Sequence, residues 1–188
     1  MDKINQFSKV PENRTAVDNI LRVNHGNQMR LNLMADAKAN IMITVASVVF
    51  SIAIANLDNE LVKWPLLTFA FGCFFALLFA IFAIIPKTDY PKDVTGDIDR
   101  KSPLFNPLFF GHFAHLPIEE YKEDYAETLM TDDSVYNAMA GDIYGQGKVL
   151  ALRKYKFLKW SYMSFLLGMV SAVLVFVLQG PFGDVIFD

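Results

Sequence analysis

His112 and His115 stand three residues apart, the spacing at which two imidazoles on one helical turn share a metal ion. The neighbouring sequence completes no ligand set, so no metal is expected there. The same imidazoles lie among Phe109, Phe110 and Phe113, and aromatic and imidazole rings stack on nucleobases. Packing on a membrane surface or a neighbouring helix is the plainer use of such a cluster. Gly141-Asp142-Ile143-Tyr144-Gly145-Gln146-Gly147-Lys148-Val149 hints at a phosphate loop. The glycine-to-lysine spacing does not fit one, and Val149 stands where Ser or Thr would hold magnesium. No nucleophile elbow or paired His-Glu metal motif occurs. Glu119, Glu120, Glu123, Asp124 and Glu127 spread around a helix as a solvated face does. No catalytic residue and no cofactor follows from these patterns, and the chain is not expected to be an enzyme.

The elements that carry these residues are set by a segregation of character. Of the 188 residues 53% are apolar and 20% charged, yet the charges avoid long stretches. Ile41–Leu57, Trp64–Ile85 and Trp160–Gln179 contain none. About 20 apolar residues in a helix cross a bilayer, so the second and third windows span directly. The first falls a turn short and borrows Ala35-Asp36-Ala37-Lys38-Ala39, with Lys38 snorkelling to the interface. The absence of ionisable residues within the windows disfavours a pump or proton-coupled carrier. A net charge of −3 with no basic stripe disfavours nucleic-acid binding. Cys73, the single cysteine, has no partner for an intrachain disulfide. The polar N-terminus does not read as a signal peptide.

Lysine and arginine fix the expected orientation. Residues 1–40 carry six and residues 86–159 carry ten, whereas the turn after the first span has only Lys63. The basic segments belong on the cytoplasmic side of the membrane, and the turn and tail belong outside. Trp64 then lies at the outer interface, with Trp160 and Tyr162 at the inner one. The expected fold is an all-α integral membrane bundle of three transmembrane helices with cytoplasmic helical extensions, assembled as a homo-oligomer. Its parts are a cytoplasmic N-terminal arm (1–40), a transmembrane hairpin (41–85), a cytoplasmic linker with helices (86–159), a third transmembrane helix (160–179) and an extracytoplasmic tail (180–188). Pro86, Pro91, Pro103, Pro107 and Pro117 predict an irregular stretch over 86–117.

Small residues recur at every fourth position: Ser47, Ser51 and Ala55; Gly72, Ala76 and Ala80; Ser164, Gly168 and Ala172. Such ladders predict close helix packing in lipid. Val17, Ile20, Leu21, Leu31 and Met34 form an apolar stripe before the first span, interrupted by Asn24, Asn27 and Gln28, a polar layer of the kind that fixes register. Val135, Met139, Ile143, Val149 and Leu150 mirror it before the third span, weakened by Gly141, Gly145 and Gly147. The two helices are expected to pair through these stripes. Asp36 then falls level with Arg153 and Lys154, which predicts an ion pair between Asp36 and Arg153.

The segment Arg30-Leu31-Asn32-Leu33-Met34-Ala35-Asp36-Ala37-Lys38-Ala39-Asn40-Ile41-Met42-Ile43-Thr44-Val45 resembles the signature opening the first span of the Pycsar transmembrane effectors. Phe109-Phe110-Gly111-His112-Phe113, Glu120-Tyr121, Asp142-Ile143-Tyr144 and the Lys-Tyr-Lys-Phe-Leu run before the last span are similar to that family too. The likeness extends from about residue 14 to 179. It implies a role in bacterial anti-phage defence. A partner cyclase would make a cyclic pyrimidine mononucleotide such as cyclic UMP or cyclic CMP, and the effector would respond by impairing the inner membrane, causing abortive infection. With that role in view, Arg30, Lys38, Arg153 and Lys154 are the candidates for phosphate, and Phe109, His112 and His115 for the base. Two other classes stay open. One is a membrane anchor that recruits a cytosolic partner through the acidic helix without permeabilising the membrane. The other is a membrane enzyme subunit completed by another chain.

Overall fold

A computed structural model describes residues 15–86, 91–92, 96–102 and 104–179. The tail 180–188, the first fourteen residues of the N-terminal arm and Pro103 lie outside them. Among the described residues every regular element is a helix: α1 (Thr15–Ala55), α2 (Lys63–Ile84), α3 (Phe110–Phe113), α4 (Ile118–Thr128), α5 (Asp132–Val149), a π-helical turn (Leu150–Lys154) and α6 (Tyr155–Gln179). Among its described residues, the irregular stretch between α2 and α4 holds α3 and one isolated antiparallel bridge, Lys92 to Ile98. Three helical runs are long and apolar enough to cross a membrane: Thr15–Ala55, Lys63–Ile84 and Asp132–Gln179. The described residues form two compact units, one from those up to Leu31 with those from Pro86 to Val149, the other from Asn32–Ile85 with those from Leu150 onward.

In the second unit small residues form the core. Ala35, Ala39, Met42, Ala46 and Ala53 are buried on α1, Cys73, Ala76, Ala80 and Ala83 on α2, and Leu158, Ser161, Gly168 and Ala172 on α6. These positions advance by alternating threes and fours, the heptad spacing that keeps one seam facing its neighbours. Met42 and Ala46 cluster with Cys73, Ala76 and Ala80, and Ala39 with Ala83 and Leu158. Gly72 and Gly168 meet backbone to backbone: a Cβ built on Gly72 would lie 2.5 Å from the Gly168 Cα. Ser161 Oγ, fully buried, donates to the Ala76 carbonyl at 2.7 Å. An intrahelical polar group in an apolar surround thereby acquires a second-helix partner. Phe71, Phe74, Phe82, Leu166, Leu167 and Val173 point outward, as suits helices solvated by lipid tails.

The ladders on α2 and α6 thus lie in the core, and the one on α1 does not. Ser51 and Ala55 are exposed and Ser47 is half-buried, and Ser51 Oγ donates a hydrogen bond to the Ser47 carbonyl at 2.9 Å. On α1 the seam is instead the heptad row from Ala35 to Ala53.

The first unit is tied by polar contacts. Arg100 grips α4, with Nε and Nη2 donating to the two oxygens of Asp124 at 2.9 and 2.7 Å and Nη1 to Glu120 at 3.1 Å. Nη2 also reaches Glu123 at 3.4 Å. This fork, with Asp124 as its main hydrogen-bond partner, holds the guanidinium above its usual range. The acidic helix is therefore half claimed by its own chain instead of being a purely solvated face. Thr131 and Ser134 exchange side-chain bonds with each other's backbone N–H at 3.2 and 3.3 Å, a capping box that starts α5. Tyr136 donates to Asp18 at 2.8 Å, joining α5 to the start of α1.

Candidate functional site

In the first unit α1 and α5 meet across a polar layer. His25 and Gln28 share one face of α1 at a three-residue interval, and Asp142 and Gln146 share one face of α5 at a four-residue interval. Asp142 is only 6% exposed. A carboxylate so buried is costly unless it is hydrogen-bonded. It accepts from Gln146 Nε2 at 2.7 Å and faces His25 Nδ1 at 3.3 Å, both on Oδ2. The amide of Gln28 lies over Gly147, where an added Cβ would stand 3.4 Å from Nε2 and 3.7 Å from Oε1. Gln28 Oε1 is itself buried without a hydrogen-bond partner. One buried acceptor of the layer, Gln28 Oε1, is thus left without a donor.

The aromatic candidates lie in the same unit and are organised around Asn106. Its backbone N–H donates to His112 Nδ1 at 3.0 Å and its side-chain amide to the Ala138 carbonyl at 2.8 Å. His112 is 9% exposed. Phe105 stacks against it at 5.8 Å between ring centroids and Phe109 meets it edge-on at 4.9 Å. His112 is therefore a packed core histidine whose Nδ1 accepts a hydrogen bond. His115 lies exposed on the same short segment.

The basic candidates are divided between the units. Arg30 is exposed in the first; Lys38 is exposed, and Arg153 and Lys154 partly buried, in the second. The ion pair predicted between Asp36 and Arg153 is made by the next residue instead: Lys154 Nζ donates to Asp36 Oδ1 at 2.6 Å. Arg153 and Lys154 both belong to the π-helical turn, which changes the angular position of each side chain relative to an α-helical count. Lys154 is thereby committed to a carboxylate of its own chain.

His25 and Asp142 did not stand out as site residues in the sequence. Their signal was present all the same. His25 sits within the polar interruption Asn24, Asn27, Gln28, and Asp142 stands in the glycine run Gly141, Gly145, Gly147 that resembled a phosphate loop. Two polar interruptions facing each other make a layer, and neither half declares it alone. Among the described residues no group of three or more His, Cys, Asp or Glu is placed to hold a metal ion. A buried acceptor without a partner, as Gln28 Oε1 is, suits a group that supplies N–H. No curated protein and no solved structure matches the chain. A family model described as the Pycsar effector protein domain matches residues 19–179, from the first turns of α1 to the end of α6.

Proposed function

The chain belongs to the Pycsar effector family of anti-phage defence proteins, and from that premise we propose that it is gated by a cyclic pyrimidine nucleotide. Cyclic UMP or cyclic CMP from a partner cyclase would be the signal, impairment of the inner membrane the response, and abortive infection the outcome. The observation that carries this reading is the extent of the family match, which takes in all three membrane-length helices and both polar extensions together. Sensor and actuator then occupy one small domain, with no catalytic step. The Lys and Arg distribution supports extensions in the cytoplasm, with the 56–62 turn and the C-terminus outside. A few packed helices affect a membrane collectively, so the acting species is a homo-oligomer. The nucleotide shifts it between two states through unequal affinity for them.

The recruiting-anchor reading loses ground because Glu120, Glu123 and Asp124 are engaged by Arg100, which leaves less of the acidic helix to a partner. The test is dye release from liposomes bearing the purified, folded chain, with a panel of cyclic mono- and oligonucleotides. Release triggered by a cyclic pyrimidine nucleotide is the expected result. Silence with every nucleotide returns the chain to the anchor reading.

A further inference from the structure

We propose that the α1–α5 polar layer is the base-recognition site and that Asp142 selects a base bearing an exocyclic amine, cytosine among the pyrimidines. The proposal rests on the nucleotide-gated reading and adds the place and the selectivity.

The argument begins with unspent acceptors. Asp142 receives both of its contacts, from Gln146 and His25, on Oδ2, so Oδ1 keeps its accepting capacity. Gln28 Oε1 is buried with no partner. An acceptor left unsatisfied in this way is a standing cost that a ligand donor removes. The α5 face beside these acceptors carries little bulk. A Cβ at Gly145 would meet nothing within 4 Å, and one at Gly147 would meet only the Gln28 amide. Gly145, three residues on from Asp142, leaves that face without a side chain one turn away.

The chemistry of the two pyrimidines then separates them. Cytosine presents an amino donor at position 4 beside the N3 acceptor, and uracil presents a carbonyl at position 4 beside an N3–H donor. Facing position 4, with N3 left to Gln28, the Asp142 carboxylate accepts from the cytosine amine and has no proton to offer the uracil carbonyl. The Gln28 amide pairs with either base, since it carries one acceptor and one donor edge. Gln28 therefore holds a pyrimidine, and Asp142 decides which.

The experiment is equilibrium binding of cyclic CMP and cyclic UMP to the full chain in detergent. It includes a third ligand, the cyclic nucleotide of pyrimidin-2-one, which lacks the 4-amino group. The wild-type chain is expected to bind cyclic CMP about tenfold more tightly than either of the others, the discrimination typical of one directed base contact. Asp142→Asn supplies an amide N–H to the uracil carbonyl and is expected to move the preference toward cyclic UMP, a change that mere loss of fold cannot produce. The pyrimidinone comparison uses wild-type protein only and holds even if the variant does not fold. Equal binding of the three ligands, or a preference for cyclic UMP, overturns the assignment while leaving the effector reading intact. Binding of none, with no dye release, removes both.

Discussion

The Asp36–Lys154 pair is the sharpest single contact in the membrane-length unit. At 2.6 Å, with Lys154 17% and Asp36 37% exposed, it is a charge-assisted hydrogen bond partly shielded from solvent. Lys154→Ala is expected to lower stability by about 1–3 kcal/mol, the range for losing a hydrogen bond to a charged group. Arg153→Ala is expected to stay within about 0.5 kcal/mol. Denaturation in detergent compares the two, and equal losses would contradict the assignment of the pair to Lys154. Arg100→Lys tests the other fork. A lysine carries the charge but cannot present two parallel N–H groups to Asp124, so the α4 amides are expected to exchange hydrogen about fivefold faster or more, a shift of about 1 kcal/mol. Unchanged exchange would show that the fork does not order α4. At this scale the sequence placed the charges at the correct level but named the wrong neighbour. Consecutive residues point about 100° apart, and the widened turn alters that phase without any signature of its own in the residue types.

Between elements the geometry is set by what can approach closely. With Gly72 and Gly168 in backbone contact, Gly168→Val forces α2 and α6 apart and is expected to cost about 1–3 kcal/mol, as overpacking does. Ser51→Val, on the outward row of α1, is expected to change stability by about 0.5 kcal/mol or less. Thermal unfolding of both variants in one detergent makes the comparison, and a large loss from Ser51→Val would place that row in the core. The three membrane-length helices were legible in the uncharged windows, because burial in lipid demands length and apolarity and little else. The seam was only half legible. Alanine and serine are common along α1, and two rows of small residues, one at a spacing of four and one at alternating threes and fours, compete on it. The spacing alone does not say which row finds a partner.

For the whole molecule the open quantity is direction across the bilayer, and a chain with one cysteine makes it accessible. In a Cys73→Ala background, a cysteine at Asn59 is expected to react with a membrane-impermeant maleimide added to intact spheroplasts. Cysteines at Arg22 or Lys122 are expected to react only after lysis. The reverse pattern would invert the proposed topology. The positive charges that motivate it are visible in the sequence because they act through simple counting. The polar layer is not visible in that way. His25 and Asp142 lie 117 positions apart (142 less 25), and their meeting follows from α5 running beside α1 in the same direction, a tertiary fact with no local marker.

The π-helical turn between α5 and α6 has a consequence for length. Its wider winding takes up one residue more than an α-helix of the same rise requires, so the run from Asp132 to Gln179 holds a single unit of slack, all of it at Leu150–Lys154. Removing Ala151 would simply take up that slack and leave a regular helix. Removing Met163 would carry every later side chain, Gly168 and Ala172 among them, about 100° off its partner. The long helix is in this sense a ruler with one adjustable notch, set where it enters the membrane-length unit.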